Sequence, residues 1–261
     1  MKNISLARLT LTLAAAETKC FWRSAAAGLS LLVFLGFLGF FFYNGVAAYV
    51  FGSLEAAAQG RSLDASLALF SQGLAQVGFV LLLVAPLATM KSLATFKRGG
   101  HLDFYQSLPA PRGGLILGAY LAAFVNLTIL LALSLVPFGV LLWAGVGSWE
   151  IILSSYLGLL CLASSFAALG LLASAASPSP MGAALGSLGL TGLMWMLGWA
   201  APYMDKDFGR LWQGLAFAPR LNRFVMGLVD LNDVFFFLAL TGLALYSAGR
   251  FLDARAAHGA D

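Results

Sequence analysis

The fold of this chain is decided by residues 151–204, which read IILSSYLGLLCLASSFAALGLLASAASPSPMGAALGSLGLTGLMWMLGWAAPYM and contain no charged side chain. A bilayer needs about 20 apolar residues for one helical crossing, so this stretch is long enough for two crossings and must fold back on itself. The break is predicted at Ser177-Pro178-Ser179-Pro180, because two prolines remove backbone donors and disfavour continued helix. Two membrane-spanning helices joined by a short turn are expected here.

Four further uncharged stretches extend this pattern: Ser24–Leu54, Ala65–Met90, Gly113–Trp149 and Val234–Gly249. Together they predict six spans, at about 28–50, 68–90, 114–143, 151–173, 181–201 and 232–249. The composition agrees, since 61% of the residues are hydrophobic and only 10% are charged, against about 25% in soluble domains. We predict an all-α, polytopic membrane protein in which residues 1–261 form a single transmembrane domain.

The distribution of basic residues predicts the orientation of these spans. With the N-terminus in the cytoplasm, ten of the 15 Lys and Arg residues flank inner ends and five lie outside. The positive-inside rule then places both termini in the cytoplasm. No nucleic-acid partner is expected, because the basic residues flank spans.

The predicted cytoplasmic side carries two short helices outside the spans. Residues 1–23 are expected to form an interfacial helix against the membrane, with an apolar face made of Leu6, Leu9, Leu13 and Ala16. In the loop 91–113, between spans two and three, a second helix is predicted that presents Leu102, Tyr105 and Leu108 on one side and ends at Pro109. This loop is either a docking surface for a soluble partner or only a polar connector.

Polar and small residues within the spans are candidates for packing or transport. Most polar ones, including Ser154, Ser155, Ser164 and Ser165, are expected to hydrogen-bond between helices or bend them. The candidates for a translocation path are Asn44, Gln72 and Asn126. A glycine stripe, Gly182, Gly186, Gly189 and Gly192, predicts close helix packing, either within one subunit or at a homodimer seam. Near the last span, Asp230 and Asp233 are expected to cap its N-terminus.

Several function classes are disfavoured by what the sequence lacks. Apart from Asp233 at the edge of the last span, the six spans carry no charged residue, whereas ion-coupled carriers keep charged groups at membrane depth. Both His101 and His258 lie in predicted cytoplasmic segments, so no Ser–His pair is expected within the bilayer. No P-loop, cofactor site or metal motif is recognisable. The chain is therefore not expected to be an enzyme, and any energy input must come from another polypeptide.

The loop after span two resembles a known family. Its Lys97-Arg98-Gly99, Asp103 and Ser107-Leu108-Pro109 are similar to the coupling-helix loop of type-2 ATP-binding-cassette (ABC) permeases, with the motif Glu-x-Arg-x-Gly-Thr-x-Glu-x-Leu followed by Leu-Pro. Tyr105 stands where that motif has its final Leu.

Two other segments resemble permeases of the gliding-motility type, to which the nitrous-oxide-reductase-maturation permeases are close relatives. One is Phe21-Trp22-Arg23-Ser24, which enters a Phe-rich first span. The other is the Gly-x-x-Asp-x-x-Asp pattern formed by Gly227, Asp230 and Asp233 before the last span.

The resemblance implies a permease subunit, expected to be an exporter in a bacterial inner (plasma) membrane. Its partners would be a cytoplasmic ABC ATPase subunit, which would bind ATP and Mg, and a second permease chain in a homodimer or heterodimer. The implied ATPase-coupling loop consists of Arg98, Gly99, Leu102, Asp103, Tyr105, Leu108 and Pro109. The alternative is a non-transporting membrane anchor or assembly scaffold for an extracytoplasmic machinery.

Overall fold

The computed structural model of the chain describes residues 6–58, 65–90, 92, 112–145 and 147–258. These residues form nine α-helices and one 3-10 turn, with no strand among them. In chain order the helices are α1 (Leu6–Trp22), α2 (Ala25–Ala58), α3 (Ala65–Thr89), α4 (Arg112–Trp143), α5 (Trp149–Ala176), α6 (Pro180–Ala200), α7 (Lys206–Leu215), α8 (Phe217–Val225) and α9 (Leu231–His258). The 3-10 turn, Ala201–Tyr203, lies between α6 and α7.

Six of these helices, α2 to α6 and α9, are long and apolar enough to cross a membrane. The prediction of an all-α chain with six candidate spans is therefore confirmed. The break between α5 and α6 lies at the predicted prolines: α5 ends at Ala176, and Pro180 occupies the first turn of α6, where a missing backbone donor costs nothing. The Ser179 side chain caps α6 by accepting a hydrogen bond of 3.1 Å from the Gly182 N–H.

The first span continues past its predicted end. Helix α2 runs to Ala58, about two turns beyond the predicted end near residue 50, so Glu55 lies on a helix instead of between the first two predicted spans. The sequence LEAAA at this end consists of good helix formers, which explains the continuation. At 1.5 Å per residue α2 is about 51 Å long, which exceeds the bilayer's hydrocarbon thickness of about 30 Å.

Helix α5 is the centre of the bundle. It packs against α3, α4, α6, α8 and α9, and 78% of its most apolar 18-residue segment is buried. The corresponding share is 22% for both α6 and α9. Their apolar side chains therefore face outward, as expected for helices that contact lipid.

Helix α1 lies along the first turns of α4 and runs in the same direction. Leu9 contacts Gly114, and Leu13, one turn later, contacts Gly118. Leu9 and Leu13 belong to the predicted apolar face, but Ala16 of that face is exposed and Ala14, which was not predicted, is buried. α1 therefore packs on a protein helix along its length, which an isolated interfacial helix would not do.

Candidate functional site

α1 contacts the chain on both sides of the loop that carries the predicted coupling residues, where α3 ends and where α4 begins. Before the loop, Ser92 hydrogen-bonds to Glu17 of α1. After it, a Cβ on Gly114 would lie 3.0 Å from Leu9 Cδ2, and one on Gly118 would lie 2.7 Å from Leu13 Cδ2. Because both positions lack a side chain, Leu9 and Leu13 of α1 pack directly on the backbone of α4. α1 is thus in contact with both flanks of the same loop.

Glu17 is an ionisable side chain that this packing largely encloses. Burial raises the pKa of its carboxyl to about 7, and the hydrogen bond from Ser92 opposes part of that change. Its Oε1 atom has no hydrogen-bond partner among the residues that the structure describes. Sequence reasoning missed Glu17, because one glutamate on a short helix outside the spans looks like a solvated side chain until Ser92, after α3, is placed beside it.

The predicted coupling residues themselves lie in residues 93–111, outside the described part of the chain. They are Arg98, Gly99, Leu102, Asp103, Tyr105, Leu108 and Pro109. Their contact with an ATPase stays a prediction.

The three candidates for a translocation path occupy different surroundings. Asn44 is exposed on α2 and donates a hydrogen bond of 2.8 Å to the Phe40 carbonyl of its own helix. Gln72 is exposed on α3. Asn126 of α4 is buried, and its Oδ1 has no hydrogen-bond partner in the described residues. Two exposed side chains and one enclosed side chain do not form one surface within a single chain.

The glycine stripe of α6 is used in two different ways. Gly182, in the first turn of α6, packs on the turn before the helix, since a Cβ there would lie 2.5 Å from Ser177 Oγ. Gly186 packs on α5, with 3.4 Å between such a Cβ and that of Ala173. Gly189 and Gly192 have no described atom within 4 Å of that position. Packing within one subunit therefore accounts for Gly182 and Gly186, and a homodimer seam at Gly189 and Gly192 stays a prediction.

Serine hydroxyls on α5 join this helix to its neighbours. The Ser164 Oγ lies 2.7 Å from the Tyr120 hydroxyl of α4 and 3.2 Å from the Thr241 hydroxyl of α9. Ser165 donates to the Phe237 carbonyl at 3.2 Å, and Ser154 donates to the carbonyl of Phe224 in α8 at 2.7 Å. The expected interhelical hydrogen bonds are confirmed at these serines. Ser155 instead bonds to the Ile151 carbonyl of its own helix.

The segment between α6 and α9 folds back among the spans. It contains two helices, α7 and α8, and the sequence did not predict the insertion of α8. Phe217 of α8 is fully buried, and its ring centroid lies 5.4 Å from that of Phe166 in α5 and 6.0 Å from that of Phe237 in α9. Leu221 occupies the space that the missing side chain of Gly78 in α3 leaves. α8 therefore fills the space between α3, α5 and α9.

The start of α9 carries a buried charge cluster. Asp233 is fully buried, and its Oδ1 accepts hydrogen bonds from the guanidinium groups of Arg220, at 2.5 Å, and of Arg223. Arg220 also lies 3.9 Å from the ring centroid of Phe236. The expected cap is present at Asp230, whose Oδ1 accepts from the Asn232 N–H at 2.9 Å. Asp233 instead pairs with α8, so its prediction as a helix cap missed its main contacts.

The described residues contain no group of three or more His, Cys, Asp or Glu side chains that could hold a metal ion. The hydrogen bonds of Ser154, Ser164 and Ser165 and the ion pairs of Asp233 join different helices. Such contacts hold the helices in fixed relative positions. Comparison with known proteins finds neither a matching family model nor a matching curated sequence.

Proposed function

We propose that this chain is the membrane-spanning permease subunit of an ABC transporter, working as an exporter in a bacterial inner membrane. Two copies, or this chain and a similar one, form the membrane part. Separate cytoplasmic ATPase subunits bind ATP with Mg and supply the energy. Both termini lie on the cytoplasmic side, next to these subunits.

The observation that carries this proposal is the contact of α1 with both flanks of the loop between α3 and α4. Glu17 meets Ser92 before the loop, and Leu13 meets Gly118 after it. A protein driven from the cytoplasm needs its driven loop attached to rigid elements, because only a stiff connection passes a displacement on. A polar connector without a mechanical role would need no such attachment.

The proposed mechanism passes motion from the loop into the spans through α4. This helix has 32 residues and is about 48 Å long, so it extends beyond a hydrocarbon core of about 30 Å. Closure of the ATPase dimer moves the loop, and α1 and the start of α4 move with it. α4 contacts α3 and α5, so the displacement reaches the core of the bundle and biases two arrangements of the spans.

The test replaces the apolar side of the predicted coupling helix. A triple variant, Leu102→Asp, Tyr105→Asp and Leu108→Asp, is expected to abolish copurification of an ABC ATPase, identified by mass spectrometry and by its ATP hydrolysis. The matched control makes the same change on the opposite side of the membrane, at Phe208, Leu211 and Leu215 of α7, which are all exposed. Copurification should survive in the control. Undiminished copurification with the coupling-helix variant would remove the loop from the mechanism.

A second measurement separates a permease from an anchor. The purified complex, reconstituted in vesicles, is expected to move material across the bilayer only when ATP is supplied. A complex that hydrolyses ATP and moves nothing would favour the scaffold role. Movement by the chain alone, without the ATPase, would contradict the proposal.

A further inference from the structure

An apolar groove with a volume of about 380 Å³ lies between α4 and α5. Its walls include Leu131 and Leu135 of α4 and Trp149, Leu153 and Leu160 of α5. The volume falls within the range of about 300 to 1,000 Å³ that is typical of small-molecule sites. Both helices are candidate membrane spans, so the groove opens toward the region that lipid fills.

The groove offers an occupant no free hydroxyl group. Two lining side chains, Thr128 and Tyr156, carry hydroxyls. Thr128 donates to the Phe124 carbonyl at 2.8 Å, and the Tyr156 hydroxyl lies 2.8 Å from the Ser134 Oγ. Because burying an unpaired polar group is costly, the part of a ligand that enters must itself be hydrocarbon.

The length of the groove matches one leaflet of a bilayer. Trp149 is the first residue of α5, and Leu160 lies eleven residues further along the same helix. At 1.5 Å per residue this is about 16 Å, close to half of a hydrocarbon core of about 30 Å. The Trp149 indole is 76% exposed at the helix end, which is where tryptophans meet the headgroup region.

The groove is elongated and runs between two packed helices. It follows α5 for about 16 Å, and its lining is almost entirely apolar side chains. A single hydrocarbon chain is narrow enough to enter. It would touch protein on two sides, so it gains more dispersion contacts than it would on a flat helix face.

Hydrogen bonds between helices close the groove at the end near Leu160. One turn beyond Leu160, the Ser164 hydroxyl bonds to Tyr120 of α4 and to Thr241 of α9. These bonds hold the three helices together at that level. An occupant that enters beside Trp149 therefore stops near Leu160.

We propose that this groove binds one acyl chain of a lipid from the leaflet on the Trp149 side. The chain runs along α5 with its carbonyl end beside Trp149 and its methyl end above Leu160. This site requires only that the bundle lies in a membrane. It is independent of the transport activity proposed above.

The test uses the full chain reconstituted with photoreactive phosphatidylcholine. A diazirine near the carbonyl end of the acyl chain is expected to label residues 149–153, and one near the methyl end is expected to label residues 156–160, as read by peptide mass spectrometry. Ala132→Phe, which fills the groove, should lower both signals several-fold. The matched control, Ala239→Phe on the exposed face of α9, should leave them unchanged.

Three results would overturn the site. They are labelling of α5 no stronger than that of the exposed face of α9, labelling that does not depend on diazirine depth, and crosslinks from Leu153 to a second copy. Should Ala132→Phe fail to fold, Leu135→Phe at the exposed rim replaces it. Unchanged labelling in a folded groove-filling variant would contradict the proposal equally.

Discussion

Asp230 and Asp233 lie three residues apart at the start of α9 and have different roles. The Asp230 carboxylate faces the end of its own helix and caps the Asn232 N–H. The carboxylate of Asp233 is fully buried and binds Arg220 and Arg223 of α8. Removing a carboxylate from water costs several kcal/mol, so its burial depends on both guanidinium groups. Asp233 thereby fixes α8 to the last span.

We expect Asp233→Asn to lower the free energy of unfolding by about 3 kcal/mol, because it leaves the mostly buried Arg220 without its carboxylate partner. Asp230→Asn is the matched control, since Asn caps a helix about as well as Asp does. Thermal unfolding in detergent compares the two variants. Equal midpoints for both would show that the ion pairs contribute nothing to stability.

Glu17 is expected to make stability fall as pH rises. Burial raises the pKa of its carboxyl to about 7 from 4.5, so the folded state binds more protons than the unfolded state between these values. The stabilisation is complete below pH 4.5 and is lost as pH rises through 7. Glu17→Gln should flatten the decline in the thermal unfolding midpoint between pH 5 and pH 8. At pH 8 this variant should unfold at a higher temperature than the parent protein. An unchanged decline would contradict the assignment to Glu17.

At the scale of the helices, α8 fits into the bundle because three spans lack a side chain where it contacts them. The residues are Gly78 of α3, Gly158 of α5 and Gly198 of α6. A Cβ on Gly158 would lie 2.6 Å from the Phe224 Cβ, and one on Gly198 would lie 3.0 Å from the Pro219 Cδ. Each contact joins α8 to a different helix. The position of α8 is therefore set by the backbones around it.

We expect Gly158→Ala to destabilise the protein by about 1 to 3 kcal/mol, because the added methyl group meets the Phe224 Cβ, which cannot rotate away. Gly189→Ala, in the middle of α6, is the matched control. No described atom lies within 4 Å of its Cβ position, so we expect it to be neutral or to stabilise by up to about 1 kcal/mol. Thermal unfolding of both variants measures the difference. A neutral Gly158→Ala would contradict the insertion of α8.

At the scale of the whole molecule, continuous contacts join the two ends of the bundle. On the predicted cytoplasmic side, α1 holds the start of α4. Within the bundle, Tyr120 of α4, Ser164 of α5 and Thr241 of α9 form consecutive hydroxyl contacts. At its other end α9 carries Asp233, which holds α8 through its ion pairs. In the proposed transporter this is the route by which motion of the loop reaches the opposite side.

The native cysteines test the predicted orientation. Cys20 is exposed on α1, whereas Cys161 lies half-buried within α5. A membrane-impermeant maleimide should label Cys20 in inside-out vesicles and not in right-side-out vesicles, because α1 is expected on the cytoplasmic side. Cys20→Ser should remove the label. Labelling in right-side-out vesicles would show that the topology is opposite to the predicted one. The loop would then lie on the other side of the membrane from any cytoplasmic ATPase.

Three features could be predicted from the order of the amino acids: the six spans, the proline break after Ala176 and the cap at Asp230. All three depend on residues close together in the chain. A span needs an uninterrupted apolar run, and proline prevents a backbone hydrogen bond at its own position. A capping side chain accepts from a backbone N–H only two residues further along. The candidate path residues Asn44, Gln72 and Asn126 could be found as polar positions, but their burial could not.

Three other features could be found only in the folded chain: the enclosure of Glu17, the ion pairs of Asp233 and the insertion of α8. Each of these depends on segments far apart in the chain, such as Gly158 and Phe224, whose backbones come into contact after folding. Local apolar patterns indicate which residues must be shielded from water. In a membrane, lipid shields any outward-facing apolar side chain as well as another helix does. The patterns therefore do not predict which helices will be neighbours.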